Sequence, residues 1–129
     1  MPYVHLTLNK PDLPQETVNR LATSITDLLA QDMRKIARIT VMNVDLQPER
    51  FWYVGATAVS GVGGHLEVLL SAEINTDEEK ATFIAHAYDA LQDILGDLAS
   101  IFYIAVREIP ALDWGYNGIP QGARTVDTD

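Results

Sequence analysis

The chain contains no cysteine, and that absence excludes several classes of chemistry. Disulfide bridges, thiol nucleophiles and thiolate metal sites cannot form, and the redox state of the compartment cannot be inferred from cysteine usage. Basic residues are also scarce, because nine Lys and Arg stand against eighteen Asp and Glu, for a formal net charge of −9. Since nucleic acids and anionic membranes are bound through basic patches, neither is expected as a partner.

Long apolar runs are absent as well. No stretch of about 18 apolar residues occurs, and no charged leader precedes an apolar segment, so neither a membrane span nor a signal peptide is expected. A cytoplasmic protein is the default expectation. The chain of 129 residues is 47% hydrophobic, which predicts a single globular domain over residues 1–129 with a buried core.

The first eight residues are typical of a strand that begins at a proline. Apolar side chains occupy every second position from Val4 to Leu8, which predicts a half-buried strand. Pro2 follows Met1 directly, and aminopeptidases normally remove an initiator methionine that precedes a small residue. The mature chain would then begin with the secondary amine of Pro2. Because the reference pKa of an α-amino group is about 7.7–8, Pro2 is a candidate general base at neutral pH.

Pro2 also has a purely structural interpretation. Proline is tolerated as the first residue of a strand because it has no N–H to donate to the neighbouring strand. If Met1 is retained, the Pro2 nitrogen is an amide and cannot act as a base. Both interpretations stay open on these residues alone.

The chain consists of two halves that resemble each other. Val4 corresponds to Leu66 at a spacing of 62 positions (66 − 4), and Trp52 corresponds to Trp114 at the same spacing. Each half has the pattern of a strand, a helix and a second strand. The sequence therefore predicts a duplicated β-α-β unit, with repeat one at about 2–55, repeat two at about 65–118 and a loose tail at about 122–129.

Helical periodicity predicts a first helix from about Leu13 to Gln31 that begins at a capping box of Asp12 and Gln15. A second helix is predicted at Ala81–Leu95, after a capped start at 75–79. The two predicted caps, Asp12 and Thr76, are 64 positions apart (76 − 12), which implies a slip of two residues between the halves. The predicted apolar face of the second helix comprises Ile84, Ala87, Tyr88, Leu91, Ile94 and Leu95, and the remaining predicted strands are Ile39–Leu46, His65–Ile74 and Ile101–Ile109.

One helix for every two strands predicts an α+β fold, in which the helices cover one face of a four-stranded sheet. Open strand edges can pair with a neighbouring copy, so a homo-oligomer is expected.

Several segments resemble the tautomerase superfamily. Phe51–Gly55 resembles the aromatic-plus-glycine turn that follows the second strand in 4-oxalocrotonate tautomerase. Leu28–Lys35 resembles the helix end that carries the active-site lysine in macrophage migration inhibitory factor. Glu108–Tyr116 is similar to the C-terminal strand and turn of the cis-3-chloroacrylic acid dehalogenase group. Together with Pro2 and the duplicated unit, these segments extend the resemblance over nearly the whole chain.

The resemblance implies a tautomerase-like homotrimer that acts as a cofactor-free isomerase on a small enol or 2-oxo acid. The proline amine would lie at the floor of a pocket between subunits, and no metal is implied. The implied catalytic residues are Pro2 as the base and Tyr103, which would orient the carbonyl oxygen. The implied substrate-binding residues are the cations Arg34, Lys35 and Arg107 and the apolar walls Trp52 and Trp114.

The departures from the family pattern leave alternatives open. Ser71–Asn75 replaces the arginine pair of the dehalogenase group, and Tyr116 replaces its late glutamate, so hydrolytic dehalogenation has little support. A decarboxylase or hydratase of a small acid could use the same Pro2. A non-catalytic interaction protein with a vestigial pocket belongs to a different class. His5 and His65 lie on the first strands of the two halves, but no third ligand accompanies them, so metal binding is not expected.

Overall fold

A computed structural model describes residues 2–124 of the chain. Two 19-residue helices and one four-stranded sheet form its body, and two short hairpins follow the sheet strands β2 and β6. In chain order the elements are β1 Tyr3–Leu8, α1 Gln15–Met33, β2 Val41–Leu46, β3 Tyr53–Val54, β4 Thr57–Ala58, β5 Gly64–Ser71, α2 Asp77–Leu95, β6 Tyr103–Ile109, β7 Gly115–Tyr116 and β8 Ile119–Pro120.

The sheet has the strand order β2-β1-β5-β6. Each half contributes a parallel pair, β1 with β2 and β5 with β6, and the two pairs meet through the antiparallel strands β1 and β5. Both helices pack on the same face, over a core formed by alternate residues of the two central strands. The predicted α+β fold is therefore confirmed. The core residues of the central strands are Val4, Leu6, Leu8, Leu66, Val68 and Leu70.

The antiparallel pairing of β1 with β5 has a consequence for the connections. Because the two halves run in opposite directions, the second strand of each half ends at the edge of the sheet where the other half begins. The segment that follows β6 therefore passes over the start of β1, and the segment that follows β2 passes over the start of β5. Each short hairpin thus covers the first strand of the other half.

The two helices begin in different ways. At α2, Glu79 N donates to Thr76 Oγ1 at 3.0 Å and Thr76 N donates to Glu79 Oε1 at 3.0 Å, which is the predicted capping box. At α1, the N-cap is Pro14 and no side chain caps the helix, so the predicted capping box of Asp12 and Gln15 is wrong. Proline suits a helix start because its φ is already close to helical values and the first N–H groups have no partner within the helix.

This correction also removes the predicted slip between the halves. The observed caps Pro14 and Thr76 are 62 positions apart (76 − 14), as are the last-turn residues Arg34 and Gly96 (96 − 34), which both have positive φ angles of 58° and 85°. The predicted slip of two residues is therefore wrong. The halves keep one constant offset through the sheet, the helices and the hairpins.

The buried face of α2 differs from the predicted one. Phe83, Ala87 and Leu91 are fully buried, whereas Ile84 is 37% exposed. Ala87 and Leu91 follow Phe83 at four and eight positions, a spacing that places all three residues on one face of the helix. Phe83 is therefore the first residue of the buried face. Neither α1 nor α2 is apolar enough to cross a membrane, and residues 2–124 include no other helix that could.

Candidate active site

A cavity of about 430 Å³ opens at the start of β1, and we call it the Pro2 cavity. Pro2 is buried there, and its carbonyl oxygen accepts a hydrogen bond from Val41 N at 3.2 Å, which ties the starts of β1 and β2 together. The floor of the cavity is therefore a sheet backbone with little freedom to move. The residues that line it are Pro2, Tyr3, Ile39, Val41 and 114–117.

The opposite wall comes from the hairpin of the second half. Asn117 and Gly118 form its turn with φ angles of 51° and 86°, a geometry that the Asn-Gly pair favours in tight hairpins. The turn folds β8 back onto β7, and residues 114–117 lie over the start of β1. Trp114 thus lines the same cavity as Pro2, the candidate base.

The edge of this hairpin carries a cation. The guanidinium of Arg124 lies 3.7 Å from the centroid of the Tyr116 ring and donates a hydrogen bond to the Tyr116 carbonyl. Arg124 belongs to the predicted loose tail, whose start forms a 3-10 turn at Gln121–Ala123. Residues 125–129 of that tail lie outside the described part of the chain.

Trp52 and Tyr103 lie together in another cavity, of about 360 Å³, at the start of β5. We call it the second cavity. Tyr3 pairs with Leu69 and Tyr103 pairs with His65, so Pro2 and Tyr103 lie near opposite ends of the sheet and two strands apart. At normal strand spacing this separation is roughly 20 Å. Within one protomer, Tyr103 therefore cannot touch a substrate held at Pro2.

Arg34 joins the end of α1 to the start of α2. Its Nε and Nη2 atoms donate to the Glu79 carboxylate at 2.9 and 3.2 Å, and Nη2 also donates to the Ile74 carbonyl at 3.1 Å. The hydrogen bonds from Arg34 are the main cause that lowers the pKa of Glu79 to about 2, and Glu79 in turn raises the pKa of Arg34. Arg34 therefore forms an ion pair with Glu79 that links the two helices.

Lys35 is only 8% exposed and, with Arg34, lines a third cavity of about 260 Å³. That cavity shares no lining residue with the Pro2 cavity. Arg34 and Lys35 thus line one cavity together, and Pro2 is not among the residues that line it.

Arg107 lies on the uncovered face of the sheet. Its guanidinium is 3.5 Å from the carboxylate of Glu67, and its side chain is 61% exposed. Arg107 pairs with Leu69, which pairs with Tyr3, so Arg107 is level with the start of β1 at a distance of two strands, roughly 10 Å. By strand register it is closer to Pro2 than Tyr103 is.

Sequence reasoning did not identify Ile39, Val41 or Asn117 as residues of the Pro2 cavity. Two signals were available: the Asn-Gly pair at 117–118 is a strong hairpin signal, and Ile39 and Val41 lie at the start of the strand beside Pro2. No group of three or more His, Asp or Glu side chains within residues 2–124 is arranged to hold a metal ion.

Comparison with known proteins identifies the fold. No protein-family model matches the chain, and no curated protein does. Among solved structures, Pt0534 inactivated by 2-oxo-3-pentynoate is 18% identical with a TM-score of 0.82, over 94% of this chain and 97% of that chain. The F6 fused 4-OT, an asymmetric trimer, has the same TM-score, identity and coverage.

A third similar structure is FG41 malonate semialdehyde decarboxylase inhibited by 3-bromopropiolate. It is 20% identical with a TM-score of 0.73, over 89% of this chain and 88% of that chain. These identities are too low to transfer an activity, but the likeness extends over almost the whole chain in each case. The chain therefore has the fold of the tautomerase superfamily, as its sequence resemblance predicts.

Proposed function

We propose that the protein is a cofactor-independent tautomerase that uses the N-terminal amine of Pro2 as general base on a small enol or 2-oxo acid. The observation that carries the proposal is the burial of Pro2 at the floor of a cavity with Trp114 on the opposite wall. The proposal requires a mature chain that begins at Pro2.

The surroundings of Pro2 favour the neutral form of such an amine. No residue that lines the Pro2 cavity within the described chain carries a charged side chain. Burial against apolar groups disfavours the ammonium form of an amine, and the reference pKa of an α-amino group, about 7.7–8, is already close to neutral. A neutral amine at pH 7 can accept a proton, as a general base must.

The proposed reaction is a proton transfer that needs no other reactant. The amine takes the proton of an enol hydroxyl or of an α-carbon, and the bonding electrons move into the conjugated enolate. The resulting ammonium then returns the proton to a different carbon, which leaves substrate and enzyme with their original charges. During the transfer, the positive charge of the ammonium stabilises the enolate.

The other predicted residues enter the proposal in different ways. Because Pro2 and Tyr103 are far apart in one protomer and line different cavities, we leave Tyr103 and Trp52 out of the proposed proton transfer. The fused 4-OT structure is a trimer, which supports a homotrimer here. Arg107 is the predicted cation nearest to Pro2 by strand register, and we propose it as the substrate-binding one. A role for Arg34 or Lys35 requires a substrate that reaches the third cavity.

The test is the rate of ketonisation of a small aryl enol by the purified protein and by Pro2→Ala. We expect Pro2→Ala to lose about 100-fold or more of the rate, because it replaces the rigid secondary amine of the ring with a primary amine that can rotate out of position for general-base catalysis. Pro11→Ala changes the same residue type at an exposed position and is the matched control. It should retain the full rate.

Intact-mass measurement of the same samples shows whether Met1 is absent. 2-Oxo-3-pentynoate, which inactivates Pt0534, provides a second readout, because its adduct should map to the N-terminal peptide and follow the loss of activity. Equal rates for the wild type and Pro2→Ala, or a retained Met1, would overturn Pro2 as the base, and a wild-type rate no faster than buffer would favour the non-catalytic interaction protein.

Decarboxylation is the alternative reaction on the same scaffold, and the likeness to a malonate semialdehyde decarboxylase supports its inclusion. Malonate semialdehyde given to the same two variants separates the alternatives. Release of CO₂ that depends on Pro2, without ketonisation of the enol, would assign the decarboxylase function.

A further inference from the structure

The second cavity repeats the lining of the Pro2 cavity at every position except Tyr3, whose equivalent, His65, is not among its lining residues. With the constant offset of 62, Gly64 stands where Pro2 stands, Ile101 where Ile39 stands and Tyr103 where Val41 stands. The remaining wall is 52–55 in the second cavity and 114–117 in the Pro2 cavity, at the same offset. The duplication thus produced two cavities of similar size, about 360 and 430 Å³.

Both cavities are constructed in the same manner. The turn of the first hairpin has positive φ angles at Gly55 and Ala56, as the turn of the second hairpin has at Asn117 and Gly118. The indole of Trp52 lies so close to the backbone of the segment before β5 that a Cβ on Gly63 would be 2.3 Å from Trp52 Cδ1. The first hairpin is therefore packed closely against the segment that precedes β5, and the wall that it contributes to the cavity is held in place by this packing.

The second cavity cannot perform the chemistry proposed for Pro2. Its equivalent residue, Gly64, lies in the middle of the chain, so its nitrogen is an amide with no basic lone pair. A side chain at this position is also excluded, because a Cβ on Gly64 would be 2.4 Å from the carbonyl oxygen of Thr7. The cavity therefore retains the walls of a binding site and lacks the base.

The lining indicates the class of ligand. No charged side chain lines the second cavity within the described chain, and the aromatic rings of Trp52, Tyr53 and Tyr103 surround it. Rings of this kind stack on planar aromatic groups, and the phenol of Tyr103 can donate to a carbonyl oxygen. An anionic group would find no cationic side chain among the described residues that line this cavity.

We infer that the second cavity binds one small, uncharged aromatic carbonyl compound per chain and does not transform it. This binding site is separate from the Pro2 cavity and does not depend on catalysis at Pro2. It assigns the second cavity to ligand recognition and the Pro2 cavity to the amine.

The two tryptophans allow each cavity to be observed separately, because Trp52 lines the second cavity and Trp114 lines the Pro2 cavity. Full-length protein labelled with 5-fluorotryptophan gives two ¹⁹F resonances, which Trp52→Phe and Trp114→Phe assign. The probe is acetophenone, a neutral aryl ketone. We expect the Trp52 resonance to shift saturably as acetophenone is added.

The equivalent residues Ile101 and Ile39 provide matched variants. Ile101→Asp places a carboxylate in the second cavity and should weaken the response of the Trp52 resonance at least tenfold, while the Trp114 response changes less than twofold. Ile39→Asp should have the reverse effect. Pro2→Ala should leave the Trp52 response unchanged, so this inference and the proposed function can fail independently.

Two outcomes would overturn the inference. The first is a Trp52 resonance that does not move with acetophenone, which is also the result if a neighbouring copy fills the cavity. The second is a Trp52 shift that Ile101→Asp leaves intact. Sedimentation of each variant shows whether assembly is preserved. If Ile101→Asp alters it, Tyr103→Leu replaces it, with the same expected tenfold loss.

Discussion

At the scale of single residues, Gly63 shows how close packing in the first hairpin constrains the sequence. Gly63 N donates to Asn9 Oδ1 at 2.8 Å, and Asn9 N donates to the Gly63 carbonyl at 2.9 Å, so the backbone is held from both sides. Asn9 is 2% exposed. The backbone cannot retreat from the indole of Trp52, and a side chain at position 63 must displace the ring.

We therefore expect Gly63→Ala to destabilise the protein by about 1–3 kcal/mol, the usual cost of an added group in a closely packed site. Gly122→Ala is the control, because its Cβ would meet the end of the flexible, exposed side chain of Leu112. Urea unfolding of both variants measures the difference in free energy. An equal cost for the two variants would show that Trp52 can move aside.

The Arg34–Glu79 pair predicts a pH dependence of stability. The pKa of Glu79 is about 2 in the folded chain, below its ordinary value, chiefly because Arg34 hydrogen-bonds the ionised carboxylate. A carboxyl whose pKa is lower in the folded state stabilises that state above its unfolded pKa, about 4.3, and the stabilisation is lost as the pH falls toward 2.

We expect the stability of the wild type to fall more steeply between pH 5 and about pH 2 than that of Glu79→Gln, with a smaller difference at high salt because the pair is partly exposed. Glu78→Gln removes an exposed carboxylate from the same helix turn and should follow the wild type. Chemical unfolding at a series of pH values compares the three. Parallel curves for the wild type and Glu79→Gln would contradict the expectation.

At the scale of elements, the two helices have the same length but differ in how their N-termini are capped. A reciprocal pair of hydrogen bonds between Thr76 and Glu79 stabilises the start of α2, whereas α1 begins at Pro14 without a side-chain cap. Thr17 N, the counterpart of Glu79 N, donates instead to the Pro14 carbonyl at 3.0 Å, so α1 uses a backbone acceptor where α2 uses a side-chain cap.

Thr76→Ala should cost about 1 kcal/mol of stability, because it removes the hydroxyl that accepts from Glu79 N. Thr23→Ala makes the same change at an exposed position inside α1, where alanine is a better helix former, and should be neutral or slightly stabilising. Thermal or urea unfolding measures both. A Thr76→Ala variant as stable as Thr23→Ala would show that the capping box contributes nothing in solution.

At the scale of the whole molecule, the uncovered face of the sheet is the surface through which we expect copies of the chain to associate. Leu69 and Ala105 lie on it, and the Arg107–Glu67 ion pair lies beside them. Both edge strands, β2 and β6, are also unpaired on their outer sides within the described chain. A half-apolar sheet face with open edges favours association.

We expect sedimentation to give a mass of roughly three times 14.3 kDa. Ala105→Glu adds a charge beside Glu67 on the uncovered face and should shift the protein toward monomer. Ala85→Glu makes the same change on the exposed side of α2 and should leave the mass unchanged. A monomeric wild type, or dissociation caused equally by both variants, would contradict the assembly through this face.

The sequence by itself determined the strands, the helices and the correspondence between the two halves. Alternation from Val4 to Leu8 and the spacing of 62 are local or repeated patterns, and backbone geometry converts them directly into strands, helices and a duplicated fold. The predicted capping box at Asp12 failed because Pro14, two residues later, fits the helix start better. The start of α2 was predictable because its cap and its partner are three residues apart.

Only the tertiary structure decided which side chains share a cavity. Sequence reasoning grouped Trp52, Trp114 and Tyr103 around Pro2, but the structure brings Trp114 alone of these to Pro2 within a protomer. The physical reason is the antiparallel meeting of the two halves, which carries each hairpin across the sheet to the opposite half. That crossing depends on strand order and direction, which are long-range properties that no local pattern of residues contains.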